Sequence, residues 1–187
     1  FVSANDLHTL CTHVSITPIS CQAQLVFKTG INGQVTNTGA QHFEEGEKRI
    51  FDREYLQMLQ KTNQSEIVFI HNTHHSLSDS SGPVSSRFEM ERKKVFMVFE
   101  AEAGSDCCIS FSKISNVFTT RDKEMRGMDL EDIRLHSLSE LKKQSQKGYE
   151  LLLQESNETW DAHWKAMDIS VDSKNPFDQL AIRFVQY

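Results

Sequence analysis

Up to Met128 the apolar positions recur every second residue, the spacing of half-buried strands. Leu7 to Ile16 sets Leu10, Thr12, Val14 and Ile16 on one side, and its β-branched residues predict a strand ending at Thr17, ahead of Pro18. Cys21 to Lys28 alternates most cleanly, with Cys21, Ala23, Leu25 and Phe27 on a core face. Gly30 and Asn32-Gly33 then predict a tight turn, Gln34 to Asn37 a short extended piece, and Gly39 a second turn. Arg49 to Lys61 is mixed, with Tyr55, Leu56, Met58 and Leu59 able to build a strand. Glu66 to Asn72 is apolar on both faces, which predicts burial on both sides or an edge covered by another element. Ser76 to Ser86 reads as a serine-rich loop. Phe88 to Ala103 reads as one long strand, with a bulge where the alternation changes phase near Lys93-Lys94. Gly104-Ser105-Asp106 turns the chain into a hairpin partner strand through Cys107, Ile109 and Phe111, running on to Thr119.

Past the Met125 to Met128 loop the period changes. Asp129 is the expected N-cap, and Ile133, Leu138, Leu141, Tyr149 and Leu152 follow helical spacing. A helix is predicted from about Glu131 to Met167, interrupted near Gly148 or Asn157. Trp160, Trp164 and Met167 form one helical stripe. Ile169 and Val171 alternate with Ser170 and Asp172 in a short extended link. Asn175 then caps a second helix opened by Pro176, with Asp178 at its positive end. That helix runs through Leu180, Ala181 and Phe184 to Tyr187 with no closing signal, as expected of a piece of a longer protein.

Composition narrows the classes. The formal net charge of -6 and the absence of a basic stripe argue against a nucleic-acid partner. No apolar run approaches the roughly 20 residues of a membrane span, and F-V-S-A-N-D-L at the start is no signal peptide. Cys11, Cys21, Cys107 and Cys108 fit no metal motif, and Cys21 and Cys107 are expected to be small buried hydrophobes rather than disulfide partners. Two sequons, at Asn63 and Asn157, are read as chance.

Candidate chemistry is sparse. His71, His74 and His75 could offer zinc three imidazoles, but the plainer reading is exposed loop histidines, and no metal is expected. Glu44, Glu45 and Glu47 have the residue type of a glycosidase carboxylate pair, yet Gly46, Lys48 and Arg49 beside them suggest a solvated turn. Gly30 and Gly33 lack the rest of a phosphate loop. Trp160 and Trp164 could stack on a sugar, and are more simply core anchors. Arg183 is the one charge in an apolar run, where a guanidinium needs a carboxylate or phosphate partner.

Four stretches carry a resemblance: F-V-S-A-N-D-L-H at the start, G-I-N-G-Q-V-T-N-T-G-A-Q-H-F after the first strands, F-T-T-R-D at 118–122, and W-x-x-x-W, D-I-x-V and Q-x-A-I-R-F at the end. Together they resemble glycoside hydrolase family 65, the inverting disaccharide phosphorylases, and are most similar to the kojibiose phosphorylase branch. The resemblance implies a mostly β fold: an antiparallel, galactose-mutarotase-like β-sandwich, incomplete here, followed by linker helices and the first helix of an α/α barrel. On that pattern residues 1–128 are part of the sandwich, 129–172 the linker, and 173–187 the start of the catalytic barrel. It implies a cytoplasmic enzyme, with a homodimer among its assemblies, that uses a disaccharide or oligosaccharide and inorganic phosphate without a cofactor. The catalytic acid is expected outside this chain, so no catalytic residue is assigned within it. Arg183, at the start of the barrel, is the substrate-proximal candidate. A hydrolase of the same family and a free-standing carbohydrate-binding sandwich are the alternatives.

Overall fold

The computed structural model describes residues 1–78 and 82–186. The middle of the expected serine-rich loop, including Asp79, and the final Tyr187 lie outside them. The described strands are β1 Thr9–Ile16, β2 Ala23–Asn32, β3 Thr36–Asn37, β4 Ala40–Gln41, β5 Glu47–Phe51, β6 Tyr55–Lys61, β7 Val68–Ser78, β8 Ser85–Glu91, β9 Lys94–Ala103 and β10 Ile109–Thr119. Two helices follow, α1 Leu130–Met167 and α2 Pro176–Gln186. All strand pairing is antiparallel. One sheet has the order β1-β10-β7-β6-β5, a second β2-β9-β8, and β3-β4 is a small ribbon. No helix among the described residues is long and apolar enough to cross a membrane.

The molecule is layered with the five-stranded sheet in the middle. Its inner face meets the three-stranded sheet across Leu56, Met58 and Phe111 on one side and Ile31, Val95, Met97 and Phe99 on the other. Ile109 continues that core against Ala101 and Ala103. Its outer face carries α1, through Cys11, Tyr55 and Ile114 against Leu138, Leu141 and Leu152. Phe118 and Ile70 meet Ile133 and Met125 nearby. Cover on both faces accounts for the apolar run at the start of β7.

Several expectations change. The phase shift at Lys93 is a hairpin turn rather than a bulge: β8 and β9 pair, with Glu91 opposite Lys94. The chain does not form a hairpin at Gly104. β9 pairs with β2 and β8, whereas β10 pairs with β1 and β7, so this turn passes the chain from one sheet to the other. Gly30 lies inside β2, not in a turn. A Cβ there would sit 2.1 Å from the Val95 carbonyl oxygen, so glycine permits close approach of β9. The β5–β6 turn uses Asp52 and Arg53 at φ 54° and 57°, a left-handed pair without glycine and hence without a sequence signal. Cys21 and Cys107 are exposed, as is Cys108. Each of the first two falls just outside its strand, where the alternation no longer governs burial. Only Cys11 is buried, and burial pushes its thiol up to about 11.

Candidate functional site

α1 is held on the sheet by a buried polar ladder. Gln57, Asn72 and Asn116 occupy paired positions on β6, β7 and β10, facing the helix. Gln57 Nε2 donates to Asn72 Oδ1 at 2.7 Å, and Asn72 Nδ2 donates to Asn116 Oδ1 at 2.8 Å. Asn72 also donates to Ser137 Oγ, Asn116 Nδ2 to the Ser137 carbonyl, and Gln57 Nε2 to the Arg134 carbonyl. Arg134 closes the chain from the helix, with Nε donating to Gln57 Oε1 at 3.0 Å and Nη1 to Glu47 at 2.7 Å. Asn72 and Gln57 are wholly inaccessible and Arg134 is 3% exposed. Buried amides of this kind tolerate one geometry, because each must find its partner. The ladder therefore sets the register of the helix on the sheet.

The helix then bends. Gly148 leaves helical geometry at φ 75° and ψ 171°, and Lys147 bridges the bend to both Glu155 oxygens at 2.8 Å. After the bend Leu152 and Ser156 are the last buried residues, with Ser156 Oγ accepting from the Ala4 amide. Trp160 and Met167 stand partly open.

The link and α2 are joined by side chains rather than by packing. Asn175 caps α2 by accepting from the Phe177 amide at 3.1 Å. Gln179 accepts from the Val171 amide and donates to the Ile169 carbonyl, both at 2.8 Å, and Gln186 donates to the Met167 carbonyl. Arg183 donates from Nε and Nη2 to the two oxygens of Asp168 at 3.1 and 2.6 Å. The pair lowers the Asp168 pKa and raises that of Arg183, in each case first through the hydrogen bond. No α2 residue is buried, and Phe177, Leu180, Phe184 and Val185 are exposed, Phe184 to 81%. Only a covering partner would make such a face favourable.

The other sequence candidates disperse. His71, His74 and His75 are not exposed loop histidines, because β7 extends through all three. His74 faces the helix side and meets Glu54 at 2.7 Å. His71 and His75 face the space between the sheets, so the three imidazoles do not converge. Burial, with Lys113 nearby, pushes His71 down to about 4 and His75 down to about 3. Glu45 pairs with Arg92, and Glu47 with Arg49 and Arg134. Glu47 belongs to the ladder, which lowers its pKa chiefly through the Arg134 hydrogen bond. Gly33 lies in the turn after β2, beneath Gln60.

Two groupings had no linear signal. One is the ladder. The other joins His8 to Asp122 and Glu124, which lie far from it in sequence. His8 Nδ1 meets the Val117 carbonyl at 2.8 Å and Nε2 meets Glu124 at 2.6 Å, with the ring stacked on Phe118. Burial opposes its charge, but the hydrogen bonds to Glu124 and Val117 and the charge of Asp122 raise its pKa.

Residues 1–179 match the family model described as Glycosyl hydrolase family 65, N-terminal domain. The chain is 33% identical over 191 residues to kojibiose phosphorylase of Halothermothrix orenii and 25% identical over 189 residues to kojibiose phosphorylase of Escherichia coli. It is 24% identical over 200 residues to α,α-trehalose phosphorylase of Thermoanaerobacter brockii. Each alignment covers 100% of this chain and 24% of the relative, so the chain spans about a quarter of their length. A solved structure of a provisionally assigned kojibiose phosphorylase from the human microbiome superposes with a TM-score of 0.82 at 14% identity. It covers 98% of this chain and 23% of that one, a likeness of fold.

Proposed function

The chain belongs to glycosyl hydrolase family 65, and from that premise we propose that it is the non-catalytic N-terminal part of an inverting disaccharide phosphorylase acting in the cytoplasm. The parent enzyme splits an α-glucosidic bond with inorganic phosphate and releases β-glucose 1-phosphate. A carboxylic acid outside this chain protonates the glycosidic oxygen, and phosphate attacks from the opposite face in place of the water used by an inverting hydrolase. Residues 1–128 contribute sandwich, 129–172 the linker, and 173–187 the start of the catalytic barrel.

The observation that supports this division is the exposed apolar face of α2. A helix with such a face and no burial of its own is built to be covered, here by the barrel. The bidentate Arg183–Asp168 pair ties α2 to the end of α1, and Arg183 remains the substrate-proximal candidate at the start of that barrel. Against the free-standing sugar-binding reading, the most exposed aromatics among the described residues are Phe177 and Phe184, on a helix rather than on a sheet face.

The test is turnover by the full-length polypeptide with kojibiose, trehalose or maltose. Phosphate-dependent release of β-glucose 1-phosphate is expected, with none from the 187-residue chain. Release of free glucose independent of phosphate would assign a hydrolase. Turnover by the 187-residue chain would overturn the division.

A further inference from the structure

Two connections cross between the sheets at one corner of the molecule. Residues 17–22 carry the chain from β1 to β2, and residues 104–108 carry it from β9 to β10. The Asp106 amide donates to the Pro18 carbonyl at 2.8 Å, which ties one connection to the other. Each connection also bends through a left-handed residue, Ser20 at φ 58° and Asp106 at φ 59°. A surface hollow of about 340 Å³, lined in part by Gln22 and Gly104, opens beside them.

Each connection carries an exposed thiol next to this tie. Cys107 follows Asp106 directly, and Cys21 follows Ser20, three residues past Pro18. Both stand two residues ahead of the same part of the core: Cys107 precedes Ile109, and Cys21 precedes Ala23, the register partner of Ala103. There Ile109 packs with Ala101 and Ala103, side chains small enough to let the two sheets close on one another. Stacked sheets usually lie about 10 Å apart, whereas the Cα atoms of a disulfide lie about 4.4–6.8 Å apart, so a bridge between sheets needs such a pinch. Cys108 marks the contrast. Its Sγ lies 4.0 Å from Ser110 Oγ, which shares the outer face of β10 with Ile114, on the side away from the second sheet.

We infer that Cys21 and Cys107 are a reversible redox pair, which a low-molecular-weight disulfide oxidises to a bridge between the two connections. One cysteine, as thiolate, attacks the small disulfide; a mixed disulfide forms and one small thiol leaves. The second cysteine, as thiolate, attacks the protein sulfur of that mixed disulfide and expels the other small thiol. The protein gives up two thiol protons and two electrons, and the small disulfide takes both and departs as two thiols. Exposure favours the exchange, because the attacking sulfur must be reached. The bridge closes the chain from residue 21 to residue 107, which restricts the unfolded state and holds the two sheets together at this corner. The inference is independent of the reaction that the parent protein performs.

The test is disulfide mapping by mass spectrometry on the native full-length polypeptide, incubated with oxidised glutathione and then alkylated and digested. A bridge joining Cys21 to Cys107 is expected in most molecules, with both thiols lost to alkylation and both restored by dithiothreitol. Cys21→Ser removes the resolving thiol, so the mixed disulfide of Cys107 with glutathione should accumulate about tenfold above the unaltered chain. Cys108→Ser should leave the bridge unchanged. Dibromobimane, which fluoresces on joining two neighbouring thiols, gives a second readout on the reduced, unaltered protein, with Cys21 and Cys107 as the expected pair. Glutathione adducts that persist separately on Cys21 and Cys107 would overturn the inference, as would a ring between Cys107 and Cys108. A bridge found only between two copies would overturn it as well. Peptide mapping reads the bond itself, so none of these results depends on phosphorolysis.

Discussion

The two ends of the helical segment follow opposite rules. In the first arm of α1 the buried face mixes Ile133, Leu138 and Leu141 with Arg134, Ser137 and Gln144. By pattern alone it is a weak amphipathic helix, and yet it is the one that is docked. α2 has a nearly continuous apolar face and buries nothing. Amphipathicity states that a face needs cover, whereas position and angle come from specific complementarity. The polar ladder supplies that for α1. For α2 no described residue supplies it.

Acid is the strongest way to separate the two regions. His71 and His75 are held near 4 and 3, below the usual 6.5, so between those values the unfolded chain binds more protons than the folded one. Stability then falls as pH drops from about 6.5 towards 4, at up to roughly 1.4 kcal/mol per pH unit for each histidine. His8, whose pKa is raised, works in the opposite sense: its contribution is present below 6.5 and is lost as pH rises through its folded value. Two depressed histidines outweigh one raised one, so the urea midpoint is expected to fall steadily from pH 6.5 to 4. Replacing His75 by Phe should flatten the slope by about half. An unchanged midpoint across that range would remove the sheet interior as the acid-labile region.

The ladder comes next. Asn72→Ala leaves the buried Asn116 Oδ1 without its donor, and removes one acceptor from Gln57 Nε2 and one donor from Ser137 Oγ, and should cost about 2–4 kcal/mol in urea unfolding. A cost under about 1 kcal/mol would mean that apolar packing alone docks α1. Gly148→Ala forces a side chain into a left-handed backbone, and is expected to cost about 1–2 kcal/mol. A neutral result would show that the bend can straighten into one continuous helix. Smallest of all, Phe184→Ser should change the stability of this chain by less than about 0.5 kcal/mol while reducing its self-association in sedimentation. A clear loss of stability would show that α2 already packs on the rest of the chain.

Legibility followed the range of the interactions. Asp129 as N-cap and the Asn175-Pro176 start were readable, and the helix break was narrowed to Gly148 or Asn157, because each depends on residues within a turn of one another. The two-face burial of β7 was readable from its apolar run. The sheet assignments around Gly104 were not, because a turn signal does not say whether the strands on its two sides pair with each other. The histidines of β7 are strand residues although serine-rich composition follows them, because the strand runs on to Ser78 and composition does not report pairing. The ladder escaped because Gln57, Asn72, Asn116 and Arg134 are each ordinary polar residues in the line of the chain.

The order of strands and helices, their caps and the family were determined by the sequence alone, since local periodicity and short motifs carry all three. Which strands share a sheet, which polar residues are buried together, and where a face stays uncovered were decided only by the tertiary structure. Those depend on contacts between residues tens of positions apart, whose free energy exists only once the chain has brought them together.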